Sequence, residues 1–278
     1  MKKIEVQEEC MVGKLLLNEY KGGLKFGRLM KLFRDKDIKV NGKRINGDVS
    51  VKKGDIIEVY FDAESKDISV VFADDDILVC DKPAGIESVA FFEKVKSVYP
   101  TAIFTHRLDR NTSGLMIFAL NERAYEELFR GFKERAFDKE YVACVYGHFA
   151  EPCGILKDYL VKDDKKGKVK VYKDRKNGSV MIETGYKELA RGKRTSVLSV
   201  KLYTGRTHQI RAHLAFYGHF IIGDGKYGDD RINRELGINR QLLRAVKLTL
   251  RFGCGDYLYR LDKKCFSVGG EEVFKGLQ

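Results

Sequence analysis

The chain has 278 residues, which is enough for one large domain with its own core and one small domain. Its formal net charge of +12 and its pI of about 9.3 favour a polyanionic partner. We expect a cytoplasmic protein without a membrane partner, because no run approaches the roughly 18 apolar residues of a membrane span and the first residues contain no signal-peptide core.

The first predicted element is a basic helix. Its apolar residues recur at helical spacing, at Leu24, Leu29, Met30 and Phe33. Basic residues lie between them, at Lys25, Arg28, Lys31 and Arg34. A solvated helix face would explain these charges as well as a binding surface would.

A predicted hairpin and a further strand follow the basic helix. The segment 38–45 alternates apolar and polar residues around Asn41-Gly42, which is a strong hairpin-turn signal. The segment 51–59 adds another turn and strand, and the polar residues 62–68 are typical of a linker. The helix, the VNGKRI hairpin and the KKGDIIEV strand together resemble the S4 RNA-binding domain. The resemblance implies a small α+β module in residues 1–64 whose basic helix contacts RNA phosphates.

The second predicted unit comprises residues 69–278. The pattern predicts strands at 77–80, 115–119, 139–147, 197–203 and 242–252, a lysine-rich strand region at 157–194, and helices at 122–137 and from about residue 207. The first helix should bury one face formed by Ala124, Leu128, Phe129 and Phe132. Successive strands with few crossover helices predict a mainly antiparallel or mixed sheet, and therefore an α+β fold.

The most informative segment is 105–120, THRLDRNTSGLMIFAL. Asp109 lies in a polar turn directly before an apolar run of strand length, and Arg107 precedes it by two residues. A carboxylate at the mouth of a buried strand is well placed for chemistry. The alternative is a loop aspartate that caps local backbone amides.

Three motifs of this unit resemble those of the RluA family of RNA pseudouridine synthases. They are DKPAG at 81–85, HRLDxxTSG at 106–114 and GRTHQIRxH at 205–213. The resemblance covers residues 12–252 and implies the pseudouridine-synthase fold with a central active-site cleft. It also implies isomerisation of uridine to pseudouridine in structured RNA by base flipping, without a cofactor.

The resemblance implies a role for five residues. Asp109 matches the essential acid, and Arg211 matches the arginine that pairs with it. Tyr141, in a KxY element, matches the aromatic residue that stacks on the extruded uracil. Arg107 matches the side chain that enters the RNA stack, and Leu243 matches the apolar residue beneath the uracil.

Two departures from the family pattern accompany these matches. Arg244 stands where the family usually has histidine, and residues 86–89 replace a longer histidine-containing segment after DKPAG. The second departure bears on the choice of substrate more than on the chemistry.

The sequence predicts neither a cofactor nor a metal site. The six cysteines form no CxxC pair, so we expect them to be reduced. His208 and His213 lack an apparent third ligand, which makes a metal the less favoured interpretation. On a continuous helix, His208 and Arg211 would share a face.

Ribosomal RNA of the large subunit is the favoured partner, because S4 modules accompany family members that modify it; transfer RNA is the alternative, and no obligate protein partner is evident. Two other functions remain open. One is a non-catalytic RNA-binding factor for ribosome assembly, which would not need Asp109, Tyr141 and Arg211 together. The other is a carboxylate glycosidase, which the positive charge and the lack of a second catalytic carboxylate motif oppose.

Overall fold

Two units of the chain, residues 1–67 and 68–278, make their contacts mainly within themselves. The computed structural model describes residues 2–19, 26–59, 68–163 and 167–270. Leu24, Lys25 and the linker residues 62–67 lie outside the described residues, as do the side chains of Arg28 and Lys31. Within the described part, no helix is both long and apolar enough to cross a membrane.

The N-terminal unit packs two helices against small antiparallel sheets. Its elements are β1 (Lys2–Glu5), β2 (Cys10–Met11), α1 (Val12–Glu19), α2 (Phe26–Arg34), β3 (Ile38–Val40), β4 (Lys43–Ile45), β5 (Ser50–Val51) and β6 (Ile56–Val59). One sheet has the order β1-β6-β3-β4, and β2 pairs with β5. Leu29 and Phe33 enter the core as predicted, whereas Met30 is exposed because it lies about 100° around the helix from Leu29.

The predicted hairpin turn connects β3 and β4. Asn41 and Gly42 both have positive φ, at 49° and 79°, as this turn requires. The Asn41 side chain also accepts from the Ile56 backbone N–H at 2.9 Å and donates to Asp55 at 2.8 Å. Turn chemistry and side-chain contacts therefore stabilise the same local conformation.

The larger unit is built on one sheet of eleven strands. Its elements are β7 (Ser69–Ala73), β8 (Ile77–Lys82), α3 (Ser88–Val98), β9 (Ile103–Phe104), β10 (Ser113–Ala119), α4 (Glu122–Glu134), β11 (Asp138–Tyr146), β12 (Cys153–Asp163), β13 (Lys168–Tyr172), β14 (Val180–Arg191), β15 (Thr195–Leu202), α5 (Gln209–Phe216), α6 (Asp230–Glu235), β16 (Leu243–Thr249), a 3-10 helix (Tyr259–Leu261) and β17 (Cys265–Ser267). The main path is β13-β12-β14-β15-β11-β16-β10-β8-β7, with β9 beside β10 and β17 beside β16. Only the described pairing of β10 with β16 is parallel, which confirms the predicted mixed sheet.

Strand β10 is buried on both faces, as its continuous apolar sequence predicts. Met116 and Phe118 belong to one core with Phe91 of α3, whereas Leu115 and Ile117 belong to another core with Leu128 of α4. Successive side chains of a strand point to opposite faces, so an unbroken apolar run is what a sheet covered on both sides requires.

Helix α4 buries Ala124 and Leu128, and Phe132 packs against the same core. The prediction for Phe129 is wrong, because the residue is 48% exposed and its ring lies tilted against that of Tyr125, with the centroids 5.7 Å apart. The helix ends at Glu134, before the predicted residue 137, because Arg135 adopts a left-handed conformation with φ of 61°.

The close pairing of β10 with β16 positions the functional turn. Gly114 has φ of 114°, and a Cβ atom built on it would lie 2.1 Å from the carbonyl oxygen of Ala245. Only glycine fits this approach. Strand β16 therefore begins directly beside the turn that carries Asp109.

Candidate active site

All five residues named from the sequence line one cleft. Arg107, Asp109, Tyr141, Arg211 and Leu243 surround a cavity of about 350 Å³ in the larger unit. The cavity lies where the turn before β10, the start of β16, strand β11 and helix α5 meet. The fold thus brings together side chains that are up to 136 positions apart, the separation of Arg107 and Leu243.

Asp109 accepts a charged hydrogen bond from Arg211. The Nη1 of Arg211 lies 2.8 Å from Oδ2 of Asp109, and the Asp109 side chain retains 22% exposure toward the cleft. The other edge of the guanidinium binds Asp224 through two hydrogen bonds, from Nε at 2.7 Å and Nη2 at 2.9 Å. Arg211 is therefore held in a fixed orientation by Asp224 while it presents one N–H to Asp109.

The buried Arg211–Asp224 pair is ionised. Burial alone would lower the pKa of the Arg211 guanidinium, but the hydrogen bonds and negative charges of Asp224 and Asp109 outweigh burial and raise that pKa. Burial would likewise raise the pKa of Asp224, yet Arg211 and the backbone N–H groups of Lys226 and Tyr227 hold it below its usual value. A positive charge therefore remains beside Asp109 at neutral pH.

His208 also faces Asp109, but not from a helix. It precedes α5 in a left-handed conformation with φ of 53°, so the expectation of a shared helical face with Arg211 is wrong. Its Nε2 lies 3.9 Å from Oδ2 of Asp109, and its Nδ1 is 2.9 Å from the hydroxyl of Tyr227. That hydroxyl accepts from the N–H of Val169, so its own hydrogen is available to Nδ1. Burial lowers the pKa of His208, which favours the neutral ring with Nε2–H toward Asp109.

Two apolar surfaces form the inner part of the cleft. The side chains of Tyr141 on β11 and Leu243 at the start of β16 are 8% and 4% exposed. Burial and the nearby charge of Asp109 raise the pKa of the Tyr141 phenol, so it stays neutral. A flat phenol ring and a leucine offer a slot in which a planar base can be desolvated.

Arg107 lies at the rim of the cleft, where its side chain is exposed. Arg244, the departure from the family pattern, does not line the cavity. Its Nη2 lies 2.5 Å from Oδ2 of Asp81, and its Nε donates to the carbonyl of Gly269. Arg244 therefore anchors β16 to the end of β8, while its neighbour Leu243 faces the cleft.

The turn that carries Asp109 is fastened by residues that the sequence analysis missed. The Ser88 hydroxyl donates to the carbonyl of Leu108 at 2.8 Å and accepts from the Leu108 N–H at 2.9 Å. The fully buried ammonium of Lys82 donates to the carbonyls of Pro83, Ile86 and Arg110. Burial lowers the pKa of Lys82 to about 8, although the charges of Asp109 and Asp81 oppose the shift.

The missed partners of the cleft carry weak local signals. Asp224 lies in a glycine-rich turn 13 positions after Arg211 and looks like any loop aspartate. Ser88 stands in the segment that departs from the family, and only its position at the first turn of α3 suggests a local cap.

No metal site is apparent in the part of the chain that the structure describes. No three His, Cys, Asp or Glu side chains converge there in a way that would hold an ion. His208 and His213 diverge, since His213 binds Asp158 and Thr184 on the other side of α5. None of the six cysteines, all within the described residues, forms a disulfide.

Comparisons with known proteins agree with this geometry. A family model described as RNA pseudouridylate synthase matches residues 76–216. The chain is 27% identical over 282 aligned positions to ribosomal large subunit pseudouridine synthase C of Vibrio parahaemolyticus, covering 90% of this chain and 88% of that protein. It is 28% identical to the protein of the same name from Escherichia coli, with coverage of 81% and 80%.

A solved structure supports the same assignment. Human RNA pseudouridylate synthase domain containing 1 superposes with a TM-score of 0.61 and 28% identity, over 73% of this chain and 82% of the human chain. The family model spans half of the sequence and includes both Asp109 and Arg211. The chain belongs to the RNA pseudouridylate synthase family, and it is an enzyme that isomerises uridine to pseudouridine in RNA.

Proposed function

We propose that this enzyme modifies uridine in large-subunit ribosomal RNA, with Asp109 as the essential carboxylate. The observation that carries the proposal is the salt bridge between Asp109 and Arg211, at 2.8 Å, in a cleft that also contains a slot formed by Tyr141 and Leu243. Relatives named as ribosomal large subunit synthases support the choice of RNA.

The reaction is an isomerisation that needs neither a redox partner nor a leaving molecule. The N1–C1′ bond of uridine breaks, the uracil rotates while bound, and C5 bonds to C1′ before the C5 proton is lost to the N1 position. Asp109 supplies a carboxylate oxygen at the sugar or the base, and Arg211 orients that carboxylate through a charged hydrogen bond. The Nε2 of His208 faces the same oxygen from 3.9 Å.

The proposed site requires an unpaired base, so the target nucleotide must leave its stack. Unstacking costs a few kcal/mol, which aromatic contact within the pocket offsets in part. We assign the stacking contact to Tyr141 and the apolar support to Leu243. Arg107, exposed at the rim, is assigned to the space that the flipped base vacates, because a guanidinium plane stacks well on neighbouring bases.

We further propose that residues 1–64 form an S4-like RNA-binding domain. The N-terminal unit has its own core, which includes Leu16, Leu29 and Ile57. The alignment with the Vibrio protein covers 90% of the chain and therefore extends into this unit. Ribosomal RNA and reduced cysteines are both consistent with a cytoplasmic enzyme.

The test is to incubate the purified protein with large-subunit ribosomal RNA and, separately, with transfer RNA, and to map pseudouridines by carbodiimide-dependent reverse-transcription stops. We expect new sites in the ribosomal RNA with the wild type and none with Asp109→Asn. Modification of transfer RNA alone would show that the target is wrong and the chemistry right. Conversion by Asp109→Asn at the wild-type rate would contradict the role of Asp109.

A further inference from the structure

Lys139 is a cation in the cleft whose side chain has no hydrogen-bond acceptor among the described residues. Its ammonium lies beside the backbone of Gly205, since a Cβ atom built on that glycine would be 3.4 Å from Nζ. The ammonium of Lys139 forms no ion pair with the described residues, and it lies 5.8 Å from the centroid of the Phe132 ring. The side chain is half-buried and lines the same cavity as Tyr141.

The carboxylates next to Lys139 in the sequence are engaged elsewhere. Asp138 pairs with Lys201 and Arg251, both at 3.0 Å, and Glu140 pairs with Lys247 at 3.1 Å. Two anions that flank Lys139 along β11 thus neutralise other cations. The charge of Lys139 is left to face the cleft.

Two further groups that interact with Lys139 are the Arg135 guanidinium and the His106 ring. Burial lowers the pKa of Lys139, and the positive charge of Arg135 lowers it further. His106 lies nearby as a neutral ring, because burial and the charge of Lys139 lower its pKa to about 3 and its Nε2 accepts from the Ile117 N–H. A half-buried ammonium among such neighbours is disfavoured by desolvation unless an anion from outside the chain binds it.

Arg135 is a second cation whose charge acts on Lys139. It is exposed in a left-handed conformation at the end of α4, and no carboxylate is recorded within ion-pair distance of it among the described residues. The positive charge of Arg135 acts on Lys139 and makes an anion bound to Lys139 more favourable.

We propose that Lys139 forms a subsite for a backbone phosphate next to the target uridine. Lys139 precedes Tyr141 by two positions on an extended strand, a separation of about 7 Å. A base stacked on Tyr141 would therefore have a phosphate of its own or the adjoining nucleotide within reach of the ammonium. This subsite rests on the proposed function, because its ligand is the RNA substrate itself.

The test compares three variants on a ribosomal RNA hairpin that the wild type converts. Lys139→Met removes the charge and keeps the length, Lys139→Arg keeps the charge, and Lys133→Met removes an exposed lysine of α4 outside the cleft. We expect Lys139→Met to raise KM about tenfold with little change in kcat, and to reduce the salt slope of binding by about 0.7. Lys139→Arg should retain most of the affinity, and Lys133→Met should match the wild type.

A modified substrate identifies the phosphate. Each linkage that flanks the target is replaced in turn by a methylphosphonate on a 2′-O-methyl nucleotide, with the 2′-O-methyl phosphodiester as control. One linkage should weaken the wild type about tenfold and leave Lys139→Met unchanged. An unchanged KM and salt slope in Lys139→Met would overturn the subsite. The subsite would also be overturned if, at every flanking linkage, the loss caused by the methylphosphonate multiplied with the loss caused by Lys139→Met. A wild type that converts no uridine in any RNA would instead overturn the proposed function, and the subsite with it.

Discussion

Helix α5 carries two residues, Arg211 and His213, that each bind an aspartate. The two aspartates differ in their exposure to solvent. Arg211 binds Asp109 on one side, and His213 binds Asp158 at 3.0 Å on the other. Two positions along a helix are about 200° apart, so the two side chains point away from each other. The Asp109 side chain is 22% exposed and opens into the cleft, whereas the Asp158 side chain is fully buried.

This difference in exposure distinguishes Asp109, a carboxylate of the active site, from Asp158, a carboxylate that supports the fold. Asp158 is surrounded by protein donors, since Tyr217 donates to it at 2.7 Å and Lys173 lies 3.2 Å away. The Nδ1 of His213 meets the hydroxyl of Thr184, which also accepts from Gln209. Asp158 is buried and bound to His213 and Tyr217 through Oδ2, so this carboxylate holds α5 in place and is closed to a substrate.

The largest expected effect comes from exchanging each carboxylate for its amide. Asp109→Asn should reduce turnover at least about a thousandfold, the scale of removing a catalytic group, while the fold and RNA affinity remain. Asp158→Asn should lower the melting temperature and leave turnover near the wild-type value below that temperature. Single-turnover assays and thermal melts of both variants measure this. Equal losses of turnover in the two folded variants would show that Asp109 and Asp158 do not have different roles.

Arg211 serves the site and the core together, so its removal should affect both. Arg211→Met leaves buried Asp224 without its cation, and we expect a loss of about 3–5 kcal/mol in the free energy of unfolding. Arg211→Lys keeps the charge but not the two-bonded geometry, and its loss should be intermediate. Denaturant titration with parallel turnover assays distinguishes these. Wild-type stability in Arg211→Met would contradict the buried pairing.

The Ser88 hydroxyl positions the site without touching its cavity contents, and its loss should be smaller. Ser88→Ala leaves the N–H and C=O of Leu108 without this partner, at a cost of about 1–3 kcal/mol. We expect kcat to fall about tenfold with KM nearly unchanged, since Asp109 follows Leu108 directly. Ser88→Thr, which retains the hydroxyl, should restore kcat. A variant Ser88→Ala with normal kcat would assign the hydroxyl to stability alone.

The buried pair of His213 and Asp158 should make the stability of the fold depend on pH. Burial lowers the pKa of His213 below 6.5, although Asp158 opposes the shift. The unfolded chain then takes up a proton that the folded chain refuses, so stability is complete above about pH 6.5 and declines as the pH falls below it. His213→Gln should flatten this decline. Urea titrations from pH 7.5 to 5 measure it, and an unaltered slope would exclude His213 as a contributor.

Removal of metal ions should have the smallest effect on turnover. Both ring nitrogens of His213 are engaged with protein groups, and Nδ1 of His208 is bound to Tyr227. We expect turnover to be unchanged after exhaustive chelation, on an RNA whose folding needs no divalent ion. Loss of turnover that zinc restores would contradict this.

Much of the fold was predictable because it depends on local patterns. The apolar run 115–119 predicts a strand buried on both faces, and Asn41-Gly42 predicts a hairpin turn; the structure confirms both. The boundaries were less predictable, because periodicity locates a helical face only to within about one residue step. Phe129 and Met30, each next to a buried residue on its helix, are consequently exposed.

The sequence by itself determined the family and the residue types of the cleft, since the motifs at 106–114 and 205–213 are long and specific. The S4-like assignment of residues 1–64 stays a prediction. Only the tertiary structure decided which carboxylate is open and which is closed, because solvent access depends on strands and loops distant in the chain. The pairing of Asp109 with Arg211 spans 102 positions. Ser88 and Asp224 likewise meet their hydrogen-bond partners only once the sheet is assembled. The assembled sheet also leaves the Lys139 side chain without such a partner among the described residues.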